Sequence, residues 1–82
     1  MSFHVYILRS DTTGRHYCGH TDDLVRRLRQ HNDPGYQGTK TTKRFPGPWT
    51  TIWSVSTKTR AEAMNLEKKI KARGIQRFLK DP

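Results

Sequence analysis

The chain holds a single cysteine, Cys18, so no internal disulfide can brace it, which fits a reducing cytosol and a cytoplasmic address. Long apolar runs are missing too: nothing approaches the roughly 20 apolar residues of a membrane span. The first residues lack the basic region and continuous apolar segment of a signal peptide. No stretch joins an apolar face to a basic run long enough for interfacial anchoring, so a membrane partner is not expected. Acids are scarce, with 7 Asp+Glu against 16 Lys+Arg, and the resulting formal net charge of +9 creates a positive potential suited to phosphate-rich partners. At 82 residues the expectation is one domain, 1–82, with a small core; chains of this size bury only about 60–65% of their unfolded surface.

Two short apolar runs, His4-Val5-Tyr6-Ile7-Leu8 and His16-Tyr17-Cys18-Gly19, flank the turn-forming residues Asp11-Thr12-Thr13-Gly14. This pattern predicts a β-hairpin. With those four residues as the loop, Leu8 faces Tyr17 and Tyr6 faces Gly19, which puts Tyr6 and Tyr17 on one side of the sheet as diagonal neighbours. A slip of one residue would separate them. The opposite side carries Phe3, Val5, Ile7 and Cys18 and reads as core, with Cys18 a small buried apolar residue and not a nucleophile.

A helix is predicted next, with Thr21 as N-cap and Asp22 and Asp23 at its positive end. Leu24 and Leu28 define its inward stripe, and Arg27 and His31 occupy adjoining positions on the same broad face. Arg26 and Arg29 point elsewhere and add general positive charge. Between Asp33 and Pro48 the glycine-proline clusters mark turns, with a short helical turn between them. Lys40, Lys43 and Arg44 lie there among threonines, a mixture that contacts phosphate oxygens without reading sequence. Tyr36 is placed either to stack on a base or to anchor the loop.

Trp49 to Ser56 alternates and predicts a third strand, with Trp49, Thr51, Trp53 and Val55 on one side and Ile52 on the other. Both tryptophans are expected in the core or at its edge. Thr59-Arg60-Ala61-Glu62 forms a capping box that starts a final helix. Ala63, Leu66 and Ile70 make its buried stripe, and Glu67 falls inside that stripe. An inward acid on so basic a helix either pairs with Lys71 at i+4 or reaches a cation or arginine across the sheet. The order predicts an α+β domain, β-β-α-(α)-β-α, with a three-stranded antiparallel sheet flanked by helices.

The ordered set Val5-Tyr6, Tyr17-Cys18-Gly19, Leu24-Val25-Arg26-Arg27-Leu28, His31-Asn32, Phe45-Pro46 and Ala63 to Lys71 resembles the GIY-YIG nuclease domain, in particular the small stand-alone bacterial type called UPF0213. His4 stands where that signature has its first glycine, and Cys18 where it has isoleucine. The resemblance implies a metal-dependent endonuclease that hydrolyses phosphodiester bonds in DNA, structure-specific and related to repair. It assigns Glu67 to hold one ion, Mg²⁺ or Mn²⁺, Arg27 to bind phosphate, Tyr6 to accept a proton from the attacking water, and Tyr17 and His31 to orient water and phosphate.

A free tyrosine has a pKa near about 10 and is a poor base at neutral pH unless cations lower it or a second group takes the proton onward. Nucleic-acid contacts are expected from Arg26, Lys40, Lys43 and Arg44, with DNA as the main partner, RNA as the other, and a protein partner for targeting. The sequence leaves the oligomeric state open. A non-catalytic nucleic-acid-binding module is the other reading: it would keep the cations and have no need of Glu67 or of both tyrosines. A subunit that docks on an acidic protein would need only the charge.

Overall fold

The computed structural model describes residues 2–33, 35 and 47–80. Its elements run β1 (Phe3–Ser10), β2 (His16–Thr21), α1 (Leu24–Asn32), β3 (Trp49–Thr57), α2 (Arg60–Arg73) and α3 (Ile75–Lys80). The strands form one antiparallel sheet of order β2-β1-β3. This is the expected α+β class. Lys40, Lys43, Arg44, Tyr36 and the short helical turn expected near them lie outside the described residues.

β1 is the central strand, and Val5, Tyr6, Ile7 and Leu8 are all essentially fully buried. A strand covered on both faces needs apolar side chains at consecutive positions, not alternate ones. Val5, Ile7 and Cys18 pack with Ala63 and Ile70 of α2, and Trp53, Ile75 and Phe78 close over them. Tyr6, Leu8 and Trp49 form the second cluster, with Tyr17 and with Leu24 and Leu28 of α1 against it. The sheet is therefore sandwiched, α1 on one face and α2 with α3 on the other.

The hairpin follows the expected register: Tyr6 faces Gly19 and Leu8 faces Tyr17. Gly14 closes the loop at φ 74, a left-handed conformation that a residue with a Cβ adopts only with strain. The buried Ser10 hydroxyl accepts from the amides of Thr12 and Thr13.

The third strand departs from simple alternation. Ile7 faces Trp53 but Leu8 faces Thr51, so Ile52 is an extra residue on β3. Such a bulge reverses the facing of everything beyond it. Trp49 consequently joins Tyr6 and Leu8, whereas Trp53 joins the opposite cluster and meets Phe78 edge-on at 5.0 Å. The expectation that both tryptophans share a face is corrected accordingly.

The start of α1 is corrected as well. Asp23, not Thr21, is the N-cap, its carboxylate accepting from the Arg26 amide at 3.0 Å. Thr21 ends β2, and its hydroxyl accepts from the Asp23 amide, forming the turn that delivers Asp23 to the cap. At the other end of α1, the Asn32 side chain donates to the Trp49 carbonyl at 3.0 Å and accepts from the Trp49 amide at 2.8 Å. That reciprocal pair of hydrogen bonds ties the helix end to the first residue of β3.

α2 starts as predicted at the Thr59 cap, whose hydroxyl accepts from the Glu62 amide at 3.1 Å. The Glu62 carboxylate accepts from that same hydroxyl at 3.3 Å. Gly74, at φ 99, ends α2 and lets α3 turn back onto the same core. Among the described residues no helix is long and apolar enough to cross a membrane.

Candidate active site

Tyr6 on β1, Tyr17 on β2 and His31 on α1 form a compact aromatic cluster. The Tyr6 hydroxyl lies 2.8 Å from His31 Nε2. The Tyr6 and Tyr17 rings are 6.2 Å apart, and Tyr17 and His31 4.9 Å apart. Three local features bring them together. The hairpin register sets the tyrosines diagonally, the Leu24 and Leu28 stripe seats α1 on their face, and Asn32 pins the helix one residue beyond His31.

Gly19 makes the cluster possible. A Cβ at that position would lie 2.8 Å from the Tyr6 hydroxyl oxygen and 3.2 Å from Tyr17 Cε1, so any side chain there displaces a ring. Packed interiors do not absorb such an overlap without moving a neighbour.

Tyr6 is held protonated. Burial and then the proximity of Tyr17 push its phenol well above the ordinary tyrosine range, outweighing the hydrogen bonding and positive charge of Arg27, which pull it down. The phenol either donates to a neutral Nε2 or accepts from a protonated one. In both cases a proton has a short path between the two side chains. Arg27 is half-buried one turn before His31, and its Nη1 donates to the Gln30 side-chain oxygen at 3.0 Å.

Glu67 approaches from α2, on the opposite face of the sheet. Its Oε1 lies 2.6 Å from His20 Nδ1, and its Oε2 accepts from Lys71 Nζ at 2.8 Å. Burial raises the carboxyl's pKa, but the hydrogen bonds from Lys71 and His20 win and hold it below the usual carboxylate range. With the carboxylate ionised, the His20 Nδ1 is the donor of that bond. The bond to Glu67, in turn, raises the Lys71 pKa despite partial burial. Glu67 thus takes the i+4 lysine route; its other oxygen meets His20, on the same side of the sheet, and not an arginine from across it. Its charge also reaches Tyr6, where it opposes ionisation of the phenol.

Sequence reasoning missed His20. The signal was present in the hairpin register: His20 faces Val5 and shares the Cys18 side of β2, the side that α2 covers. Cys18 is buried core as expected, its thiol pushed up to about 11 by burial and by the Glu67 charge.

The fold thus gathers Tyr6, Tyr17, Arg27 and His31 on one face and brings Glu67 to the same strand, β2, from the other. Arg26 stands on the exposed flank of α1, paired with Asp22 at 2.7 Å. Alongside runs an open, mostly polar cleft of about 340 Å³, lined by His20, Asp22, Arg26, Arg27, Gln30 and Arg60 among others. Arg27 belongs to both the cleft and the tyrosine cluster, and His20 links the cleft to Glu67.

For a divalent cation the donor set is one carboxylate. No group of three or more His, Cys, Asp or Glu side chains converges among the described residues. A single carboxylate completed by water and substrate oxygens suits Mg²⁺, which keeps much of its hydration. Glu67 fits that role in charge, and it already holds one cation, the Lys71 ammonium.

The sequence matches the model of the GIY-YIG catalytic domain over residues 2–75. Two relatives from Trypanosoma cruzi (strain CL Brener), homologues of the structure-specific endonuclease subunit SLX1, are 45% identical over 58 residues, 66% of this chain and 11% of theirs. The SLX1 homologue of Leishmania infantum is 43% identical over 58 residues, 66% of this chain and 8% of its own length. The chain therefore spans about a tenth of the length of these curated relatives. A UPF0213 protein from Bacillus halodurans, solved by solution NMR, superposes with a TM-score of 0.58 at 28% identity, covering 98% of this chain and 81% of that one.

Proposed function

Since the chain belongs to the GIY-YIG catalytic domain family, we propose that it is an endonuclease hydrolysing phosphodiester bonds in DNA with the help of one Mg²⁺ or Mn²⁺ ion. The observation that carries this reading is the buried Tyr6 hydroxyl at 2.8 Å from His31 Nε2, with Arg27 beside it. A phenol with a raised pKa has almost no standing phenolate at neutral pH. It works instead as a relay: as it accepts the proton of the attacking water, it gives its own to His31. The water oxygen bonds to phosphorus and the bond to the 3′ oxygen breaks; that oxygen takes a proton from solvent, and the proton gained by His31 later returns to solvent. Arg27 stabilises negative charge on the non-bridging oxygens. Tyr17 packs on the His31 ring and holds it toward Tyr6.

An ion bound at Glu67 would supply Lewis-acid neutralisation at the phosphate and the leaving oxygen. His20 keeps the Glu67 carboxylate ionised and oriented, as the outer partners of metal-binding carboxylates do. The curated relatives are named as subunits of structure-specific endonucleases. Those names support a structure-specific DNA substrate and a protein partner here; branched or flapped DNA, a repair setting and targeting by that partner extend the proposal.

The test is an end-labelled panel of single-stranded, duplex, flap and branched DNAs, given to the wild type and Glu67→Ala with Mg²⁺, Mn²⁺ or chelator. Metal-dependent cuts lost in the variant are the expected result. DNA binding with no cut under any condition would replace the enzyme by a binding module.

A further inference from the structure

We propose that the wall of the open cleft built by Arg26 and Arg60 is a second phosphate site, which holds the backbone phosphodiester next to the one that is cut. This inference rests on the nuclease reading above and assigns Arg60 a role in it.

The cleft gathers guanidinium groups from separate elements. Arg26 and Arg27 come from the first turn of α1, and Arg60 is the first residue of α2. None is left to wander. Arg26 is braced by the Asp22 carboxylate at 2.7 Å. The Arg60 guanidinium carbon stands 5.6 Å from the centre of the Phe3 ring, a cation–π contact that fixes it over the start of β1. Arg27 donates to Gln30, which also lines the cleft.

Three guanidiniums face one carboxylate, Asp22, so the cleft keeps a surplus of positive charge. An apolar ligand has little to bind in so polar a lining, and a cation is repelled by it. An anion with planar, forked oxygen geometry suits arginine, which binds phosphate bidentately. The cleft is open, not enclosed, and it shares Arg27 with the Tyr6 cluster. A ligand spanning both therefore carries negative charges at close intervals along a chain. A nucleic-acid strand does so: with one phosphate at Arg27 and Tyr6, the neighbouring phosphate falls to Arg26 and Arg60.

The experiment measures the salt dependence of binding to a labelled flap DNA in the Glu67→Gln background, where DNA is expected to be bound and not cut. Arg60→Gln added to it is expected to weaken binding and to lower the slope of log K against log [salt] by about one, the signature of one lost phosphate contact. Lys68→Gln, an equal charge change on an exposed position of α2, is expected to keep the slope. A single neutral methylphosphonate at the phosphate beside the scissile one should weaken binding at least as much as Arg60→Gln does, and Arg60→Gln should cost less on that modified DNA than on the unmodified one.

Equal loss from Arg60→Gln and Lys68→Gln would reduce Arg60 to part of a general field and overturn the proposal. So would an Arg60→Gln loss as large on the methylphosphonate DNA as on the unmodified one. If the wild type cuts DNA while Arg60→Gln leaves the slope untouched, only the second site falls. If the chain neither cuts nor binds DNA, the nuclease reading falls and this site with it.

Discussion

Tyr6 sits where burial, a neighbouring phenol and the Glu67 charge all oppose loss of its proton, and only Arg27 favours it. The sign of the pH dependence follows. Between the ordinary phenol value of about 10 and the higher folded value, the folded chain binds more protons than the unfolded one, so stability falls as pH rises through that window. In urea denaturation between about pH 9 and pH 11, Tyr6→Phe is expected to lose that part of the decline. Gly19→Ala is expected to cost about 1–3 kcal/mol by the same method, because its methyl group displaces Tyr6 or Tyr17. It should also abolish cleavage while leaving DNA binding in place. The two tyrosines and their shared face were legible in the sequence because a four-residue loop fixes the register. The opposition to ionisation was not, since it depends on how closely α1 covers the sheet. His20 was within reach of the same register argument, as the β2 residue that faces α2.

At the scale of elements, capping sets where α1 begins and hence where Arg27 and His31 stand. Asp23→Ala removes the N-cap acceptor and is expected to cost about 1 kcal/mol in thermal or urea denaturation. The sequence pointed to Thr21 because threonine caps well, but the strand runs one residue further than the alternation suggested, and a hydroxyl-supported turn passes the cap to Asp23. The N-cap at Thr59 was legible for the opposite reason: its hydroxyl and the Glu62 amide lie within four consecutive residues, although the Glu62 carboxylate reaches back to the Thr59 hydroxyl where a capping box would have it meet the amide. Central placement of β1 had a signal too, the unbroken apolar run from Val5 to Leu8. The bulge at Ile52 had none. It arises where Trp49 and Trp53 must fill clusters on opposite faces of the sheet, which is decided by packing between distant elements and not by local pattern.

At the scale of the whole molecule, positive charge extends well beyond the site. A second open cleft, of about 560 Å³, is lined by Arg73, Arg77 and Lys80 where α2 meets α3. Composition alone forecast a phosphate-rich partner, and with a net charge of +9 the proposed DNA binding is expected to be salt-dependent whatever the chemistry at Tyr6. Binding alone therefore says little about catalysis. Tyr6, His31 and Arg27 on one face of the sheet and Glu67 from the other are proposed to act together on a phosphodiester. The most direct measurement is single-turnover cleavage of a labelled branched DNA in Mn²⁺ by wild type, Tyr6→Phe and Glu67→Gln, with binding of the same DNA measured in parallel. Cleavage by the wild type alone and binding by all three proteins are the expected results. Cleavage that survives in either variant at the wild-type rate would contradict that joint action.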